Sequence, residues 1–367
     1  MIAEREIAGF VLPFVVGIMI ATLPSNPCFS YSIIPAAASI FLTFASVFHL
    51  IHPLHHSWKR GIIATFIILS AVGCGLLTGF THKILSISQI HNNSLLSDQI
   101  SLFGEALKSS IGNLPFKNIA TNQIIEALIT GERKGIPKET LDAFRKSGAS
   151  HILALSGLHL GIIYGIISKL LTGLGHSANA NRIRALITII TCGVYTAVTG
   201  GGASTTRAFL FILVGETARL CNRKRSLVQL LIVSFFLQLL FSPDSIKDPG
   251  FQLSYAAIVG IAFILPWLKS LWPEGKGGLM KWIWISAAMS IACQITTGPL
   301  AYLYFGTFPQ HFILTNLLAL PLTGLIIPAS LITIALHSLG ICPHVIMWAT
   351  EAVVSLLTNI LSVISTM

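Results

Sequence analysis

The chain has 367 residues, 53% of them hydrophobic and only 10% charged, with a mean hydropathy of +0.79. A soluble domain carries about 25% charged residues. This composition therefore excludes a free-standing soluble enzyme and predicts an all-α, polytopic transmembrane helix bundle. The formal net charge of +10 reflects membrane topology before it reflects a polyanionic partner.

Apolar runs near the roughly 20 residues needed to cross a bilayer predict about ten or eleven spans. They lie near 7–24, 33–51, 61–80, 150–170, 184–199, 205–221, 227–241, 251–268, 282–304, 312–336 and 345–365. The first run, Ile7 to Leu23, follows Glu4, Arg5 and Glu6 and ends at Pro24 without a small-residue cleavage pattern. It reads as a span and not a removed signal peptide. The 227–241 run is short and 312–336 contains Pro321 and Pro328, so either can be re-entrant or broken.

Placing the N-terminus in the cytoplasm gives inner loops holding Lys59, Arg60, Lys169, Arg182, Arg184, Arg219, Arg223, Lys224, Arg225, Lys269, Lys276 and Lys281. The short outer loops hold Arg207 and Lys247 alone. This asymmetry predicts a multi-pass protein of the cytoplasmic (inner) membrane with a cytoplasmic N-terminus. It also places 81–149 outside, as a polar and amphipathic helical segment. There Pro137 sits at a helix start, Leu141 and Phe144 share a face, Asp142 and Lys146 form an i,i+4 pair, and Gly148 follows as a stop. Such helices would lie along the membrane surface or cap the mouth of the bundle. The chain thus divides into a three-span region (1–80), the outer segment (81–149) and a transmembrane core (150–367).

Cys28, Cys74, Cys192, Cys221, Cys293 and Cys342 contain no CxxC pair and predict neither a disulfide framework nor a zinc site. The cluster His49, His52, His55 and His56 lacks carboxylates and sits beside Lys59, which predicts a surface role and no metal. No cofactor motif occurs.

Four polar features interrupt the apolar core. His151, Ser156 and His159 fall within an arc of about 140° if the 150–170 run is one helix. Gly157, Gly161 and Gly165 then form a packing row on the other side. The polar face lines a lumen or hydrogen-bonds neighbouring helices; a Ser–His hydrolase lacks a nearby acid to orient the base. Thr199 to Arg207 encloses Gly200, Gly201 and Gly202, which either cradle a phosphate or carboxylate with Arg207 or make a tight turn with Arg207 snorkelling. Gln252 and Ser254 open a later span, and Asn316 precedes Pro321 in another. Glu216 has Arg219 one turn away and is expected to pair with it.

In this order, Gly131-Glu132, the HILALSGLH run from His151, Thr-Gly through Arg207-Ala, Phe251-Gln252-Leu-Ser254, and Asn316 with Pro321 resemble the ComEC-type competence family over about residues 120 to 340. The resemblance implies a competence-type channel core that takes single-stranded DNA across the cytoplasmic membrane during natural transformation. It implies that His151, Ser156, His159, Arg207, Gln252, Ser254 and Asn316 line the path. Gly157, Gly161, Gly165, Gly200 and Pro321 would shape it. Fuller members carry an outer β domain and a nuclease-like domain with an HxHxD run; neither pattern occurs here. No catalytic residue is therefore expected. The expected partners are DNA, the lipid bilayer, and a separate motor ATPase, DNA receptor and nuclease. A broken-helix small-molecule permease is the alternative, and the lack of an internal repeat counts against it.

Overall fold

The computed structural model describes residues 95–367 apart from 176, 224–225, 274–277, 307, 309 and 342, together with positions 11, 13–19, 71, 72, 75 and 78. The expected span near 33–51, most of those near 7–24 and 61–80, and the His49–His56 cluster lie outside the described residues. All regular structure among the described residues is helical, with no strand. The main helices are α1 (Leu95–Gly112), α2 (Ile119–Thr130), α3 (Lys138–Lys146), α4 (Ser150–Leu153), α5 (Gly157–Leu170), α6 (Ala178–Val198), α7 (Ala203–Leu220), α8 (Leu227–Phe241), α9 (Pro249–Val259), α10 (Leu265–Ser270), α11 (Leu279–Phe305), α12 (Phe312–Ser338) and α13 (His344–Thr366).

Five helical stretches are long and apolar enough to cross a membrane: Gly157–Leu174, Pro249–Ser270, Leu279–Phe305, Phe312–Ser338 and His344–Thr366. The spans expected near 184–199, 205–221 and 227–241 do form helices, yet none of them qualifies among the described residues. The first, α6, opens on polar residues with Arg182 and Arg184 near its start. In α7, Arg207, Glu216 and Arg219 interrupt 18 residues. Helix α8 is strongly apolar but only 15 residues long.

The prolines of 312–336 left room for a re-entrant or broken span, but α12 runs unbroken through Pro321 and Pro328. The interruption lies in Pro249–Ser270 instead, where α9 passes into a π turn at Gly260–Ile264 before α10. Pro266 has no amide to offer the carbonyl of Ala262 and crowds it, which breaks the α ladder at this point. Gly260 permits a close approach. A Cβ there would stand 2.3 Å from the Ala292 carbonyl oxygen of α11 and 2.7 Å from Thr296 Oγ1.

The chain divides into two compact units, Met1–Asn93 with Lys224–Phe251, and Ser94–Arg223 with Gln252–Met367. In the first, Phe14 packs on Phe236 with ring centroids 4.7 Å apart, and Phe235 on Phe251 at 5.4 Å. In the second, α1–α4 share one apolar core with α12 and α13. Ile124, Ile125, Leu128, Phe144 and Ile152 meet Ala319, Ile326, Val354 and Leu357 there. The segment expected to lie along the membrane surface or cap the mouth of the bundle packs along two membrane-length helices. Its turns are fastened at three places. Asn122 donates to the carbonyls of Ile111, Gly112 and Leu114, closing the end of α1. The Asn118 amide donates to Glu351 of α13 at 2.9 Å. Thr315 of α12 donates to the Ser147 carbonyl at 2.6 Å.

Candidate functional site in the transmembrane core

The HILALSGLH run is not one helix. It forms α4, an extended break at Ala154 to Ser156, and then α5. Ser156 has φ −127° and ψ 170° and caps α5, its Oγ accepting from the Leu158 amide at 3.3 Å. His159 completes a capping box by accepting from the Ser156 amide at Nδ1, 3.2 Å away, in the place where Glu or Gln usually stands. The break is held from outside. Arg133 donates to the Leu153 carbonyl at 3.3 Å, and Leu155 lies against Gly131, whose φ is +80°. The common polar arc expected for His151, Ser156 and His159 is consequently absent, because the break changes the phase between them. His151 is exposed, with Nδ1 3.0 Å from the Gly148 carbonyl.

His159 is fully buried. Since Nδ1 accepts from an amide, the neutral ring carries its proton on Nε2. That Nε2 is buried with no hydrogen-bond partner among the described residues. Nδ1 also lies 3.0 Å from the Ser156 Oγ, and no ion pair or hydrogen bond between the ring and a carboxylate occurs among the described residues.

Arg207, 8% exposed, is the second buried polar group. Its Nη1 donates to the Ser254 carbonyl of α9, its Nη2 lies 3.5 Å from Ser204 Oγ, and Cζ stands 6.0 Å from the centre of the Tyr255 ring. Ser204 and Ser254 hydroxyls are 3.1 Å apart. Among the described residues no carboxylate lies within ion-pair distance of Arg207, and its Nε has no partner. Arg207 is thus neither snorkelling nor turned to the glycine-rich turn. Gly200 and Gly201 do take positive φ, +82° and +60°. The hydroxyls of Thr205 and Thr206 return to the Gly202 and Gly201 carbonyls, so the turn offers no hydroxyl cradle for an anion.

Gly157 joins the two groups. A Cβ at Gly157 would stand 2.8 Å from Arg207 Nη2 and 3.4 Å from Ala208 Cβ. Gly161 and Gly165 have nothing within 4 Å of such a Cβ, so the expected three-glycine packing row reduces to Gly157. The remaining candidates lie on other contacts. Gln252 accepts from Tyr304 at 2.7 Å. Asn316 donates to Ser290 at 3.3 Å, leaving a buried Oδ1 without a partner among the described residues. Pro321 sits inside α12.

Glu216 pairs with Arg219 as expected. It also accepts from Tyr164 of α5 at 2.8 Å, a contact the sequence did not signal. Ser204, Gly260 and Ser290 were likewise missed. Only Ser204 carried a readable signal, three residues before Arg207 on the same helix face.

A family model described as competence protein matches residues 128–367. The chain belongs to the competence protein family. The matched region contains α3 to α13, the capped break, Arg207 and the π turn. The chain is 29% identical over 218 residues to the ComE operon protein 3 of Bacillus subtilis (strain 168), covering 59% of this chain and 27% of that protein. It is 24% identical over 266 residues to the uncharacterized protein YcaI of Escherichia coli (strain K12), covering 71% of this chain and 34% of that one. The chain thus spans about a quarter to a third of the length of these two relatives. No solved structure matches.

Proposed function

We propose that this competence-family chain forms the membrane core of a channel that admits single-stranded DNA across the cytoplasmic membrane during natural transformation. The observation that carries the reading is Arg207, a buried guanidinium in an apolar bundle that has only neutral partners among the described residues. A buried charge of this kind is costly and marks a pathway or ligand site. A lone cation gives a passing phosphodiester chain a weak, salt-sensitive contact, where several would hold it fast. His159, with its buried Nε2 donor, adds a neutral group nearby in the fold. The core itself performs no hydrolysis. A motor ATPase drives the strand, a DNA receptor delivers it, a nuclease activity elsewhere removes the complement, and the N-terminus faces the cytoplasm.

The test is transformation frequency in a clean deletion complemented with wild type, His159→Ala or Arg207→Ala. The deletion loses transformation, wild type restores it, and both variants restore less than about a tenth, the effect of removing about 1.4 kcal/mol of pathway stabilisation. Normal transformation in the deletion overturns the reading. The π turn in Pro249–Ser270 favours one alternative, a permease with an interrupted helix. In that case the deletion transforms normally and changes the accumulation of a small solute.

A further inference from the structure

The geometry points to α1 and α2 forming a re-entrant hairpin that enters the bilayer from the end of the bundle at Val198 and lines a water-filled path with one face of α1. This rests on the channel reading only in taking α6, together with the five long apolar helices, as membrane-crossing.

Three contacts gauge the depth. At the shallow end, the Tyr195 hydroxyl, close to the end of α6, donates to the Ile129 carbonyl near the end of α2 at 2.8 Å. Gly104, in the middle of α1, faces Val198, the last residue of α6, at 3.6 Å. From Gly104 the helix continues to Gly112, so Asn113 sits ~13 Å further along at ~1.5 Å per residue. At the deep end, the Asn118 amide bonds Glu351, which lies four positions from the centre of α13 and so ~6 Å from it along the axis. Half of a hydrocarbon core is ~15 Å. The tip between α1 and α2 therefore reaches the region of the midplane.

The exposed side of α1 shows what it faces. Asp98, Ser101, Glu105, Ser109 and Asn113 are all exposed and recur at steps of three and four, one helix face that also carries the exposed Leu102, with Phe103 exposed at its side. The opposite face buries Gly104 and Ile111. A polar stripe ~22 Å long by helical rise is costly against acyl chains. At membrane depth, irregular backbone such as the 113–118 turn is tolerated where it is buried in protein or lines water. Lys108 pairs with Glu105 at 3.0 Å and lies 3.6 Å from Glu132, which offsets acidic charge beside the stripe. A strand or solute passing here meets hydroxyl and amide groups below that level.

The experiment uses single-cysteine variants in a background with the six native cysteines replaced, reconstituted in lipid vesicles. Ser101→Cys, Glu105→Cys, Ser109→Cys and Asn113→Cys are compared with Leu303→Cys on the exposed apolar flank of α11. The four stripe positions are expected to react with a charged, membrane-impermeant thiol reagent at least about tenfold faster than Leu303→Cys, a difference of ~1.4 kcal/mol in barrier. A nitroxide on Asn113→Cys is expected to report a depth about 10 Å or more below the headgroups. Reaction as slow as at Leu303→Cys, or a depth at the headgroup plane, overturns the hairpin. No DNA enters the assay, so a transporter of some other solute gives the same result and failure of the DNA reading stays distinguishable.

Discussion

At the scale of single residues, Gly157 separates packing from function. Its missing Cβ leaves room for the far end of Arg207, which can swing aside, so Gly157→Ala is expected to change stability by less than about 1 kcal/mol. It should nonetheless displace the guanidinium and lower transformation as Arg207→Ala does. Gly161→Ala and Gly165→Ala meet open space and are expected to leave both thermal stability in detergent and transformation unchanged. A Gly157→Ala variant that transforms like wild type would detach Arg207 from the pathway. The Ser156 cap gives a second test. Ser156→Ala removes the side-chain acceptor of the Leu158 amide and is expected to cost about 1 kcal/mol, read as a lowered denaturation midpoint. The Tyr164–Glu216 bond gives a third. Tyr164→Phe removes a donor from a buried carboxylate and is expected to cost about 1.5–3 kcal/mol.

At the scale of elements, the informative joints are two departures from the α-helix. The break before Ser156 takes the Leu153 carbonyl out of the helix and gives it to Arg133, so the chain can turn from the α2–α4 core into α5. The π turn at Gly260 brings the α9–α10 span within contact of α11. Gly260→Ala sets a methyl group against backbone, the Ala292 carbonyl, which cannot move without shifting α11. It is expected to cost about 1–3 kcal/mol by overpacking, a far larger loss of melting temperature than Gly161→Ala. Equal stability for these two variants would mean that α9–α10 does not sit against α11 at Gly260. Neither joint was read from the sequence beforehand. Both have local causes that can be stated: Ser156 three places before a side chain that accepts from its amide, and Pro266 with no amide to donate. Pro321 and Pro328 show why proline alone does not settle the matter, since α12 continues through both.

At the scale of the whole molecule, composition determined a helical membrane bundle, and the ordered motifs determined the family; neither depends on how the helices meet. Both are sums over local properties, hydropathy per residue and residue identity at fixed spacing. Every expected span that falls on described residues forms helix, and five of these helical stretches are long and apolar enough to cross a membrane. Helices α6 and α7 have the length but also the charge, and hydropathy windows do not show where a buried Arg207 or Glu216 finds partners. The candidate site was legible as residue types and illegible as an arrangement. Ser156 and His159 are close in sequence, and their contact follows from one turn of helix. Gly157, Arg207 and Ser254 stand about fifty residues apart in turn, and only tertiary packing brings them together. The same holds for the outer segment. Its helices were visible from Pro137, Phe144 and Gly148, but amphipathic helices fit a membrane surface and a bundle flank equally well by pattern. The choice between those placements was made by long-range contacts, Asn118 to Glu351 and Ser147 to Thr315, whose partners lie more than a hundred residues away.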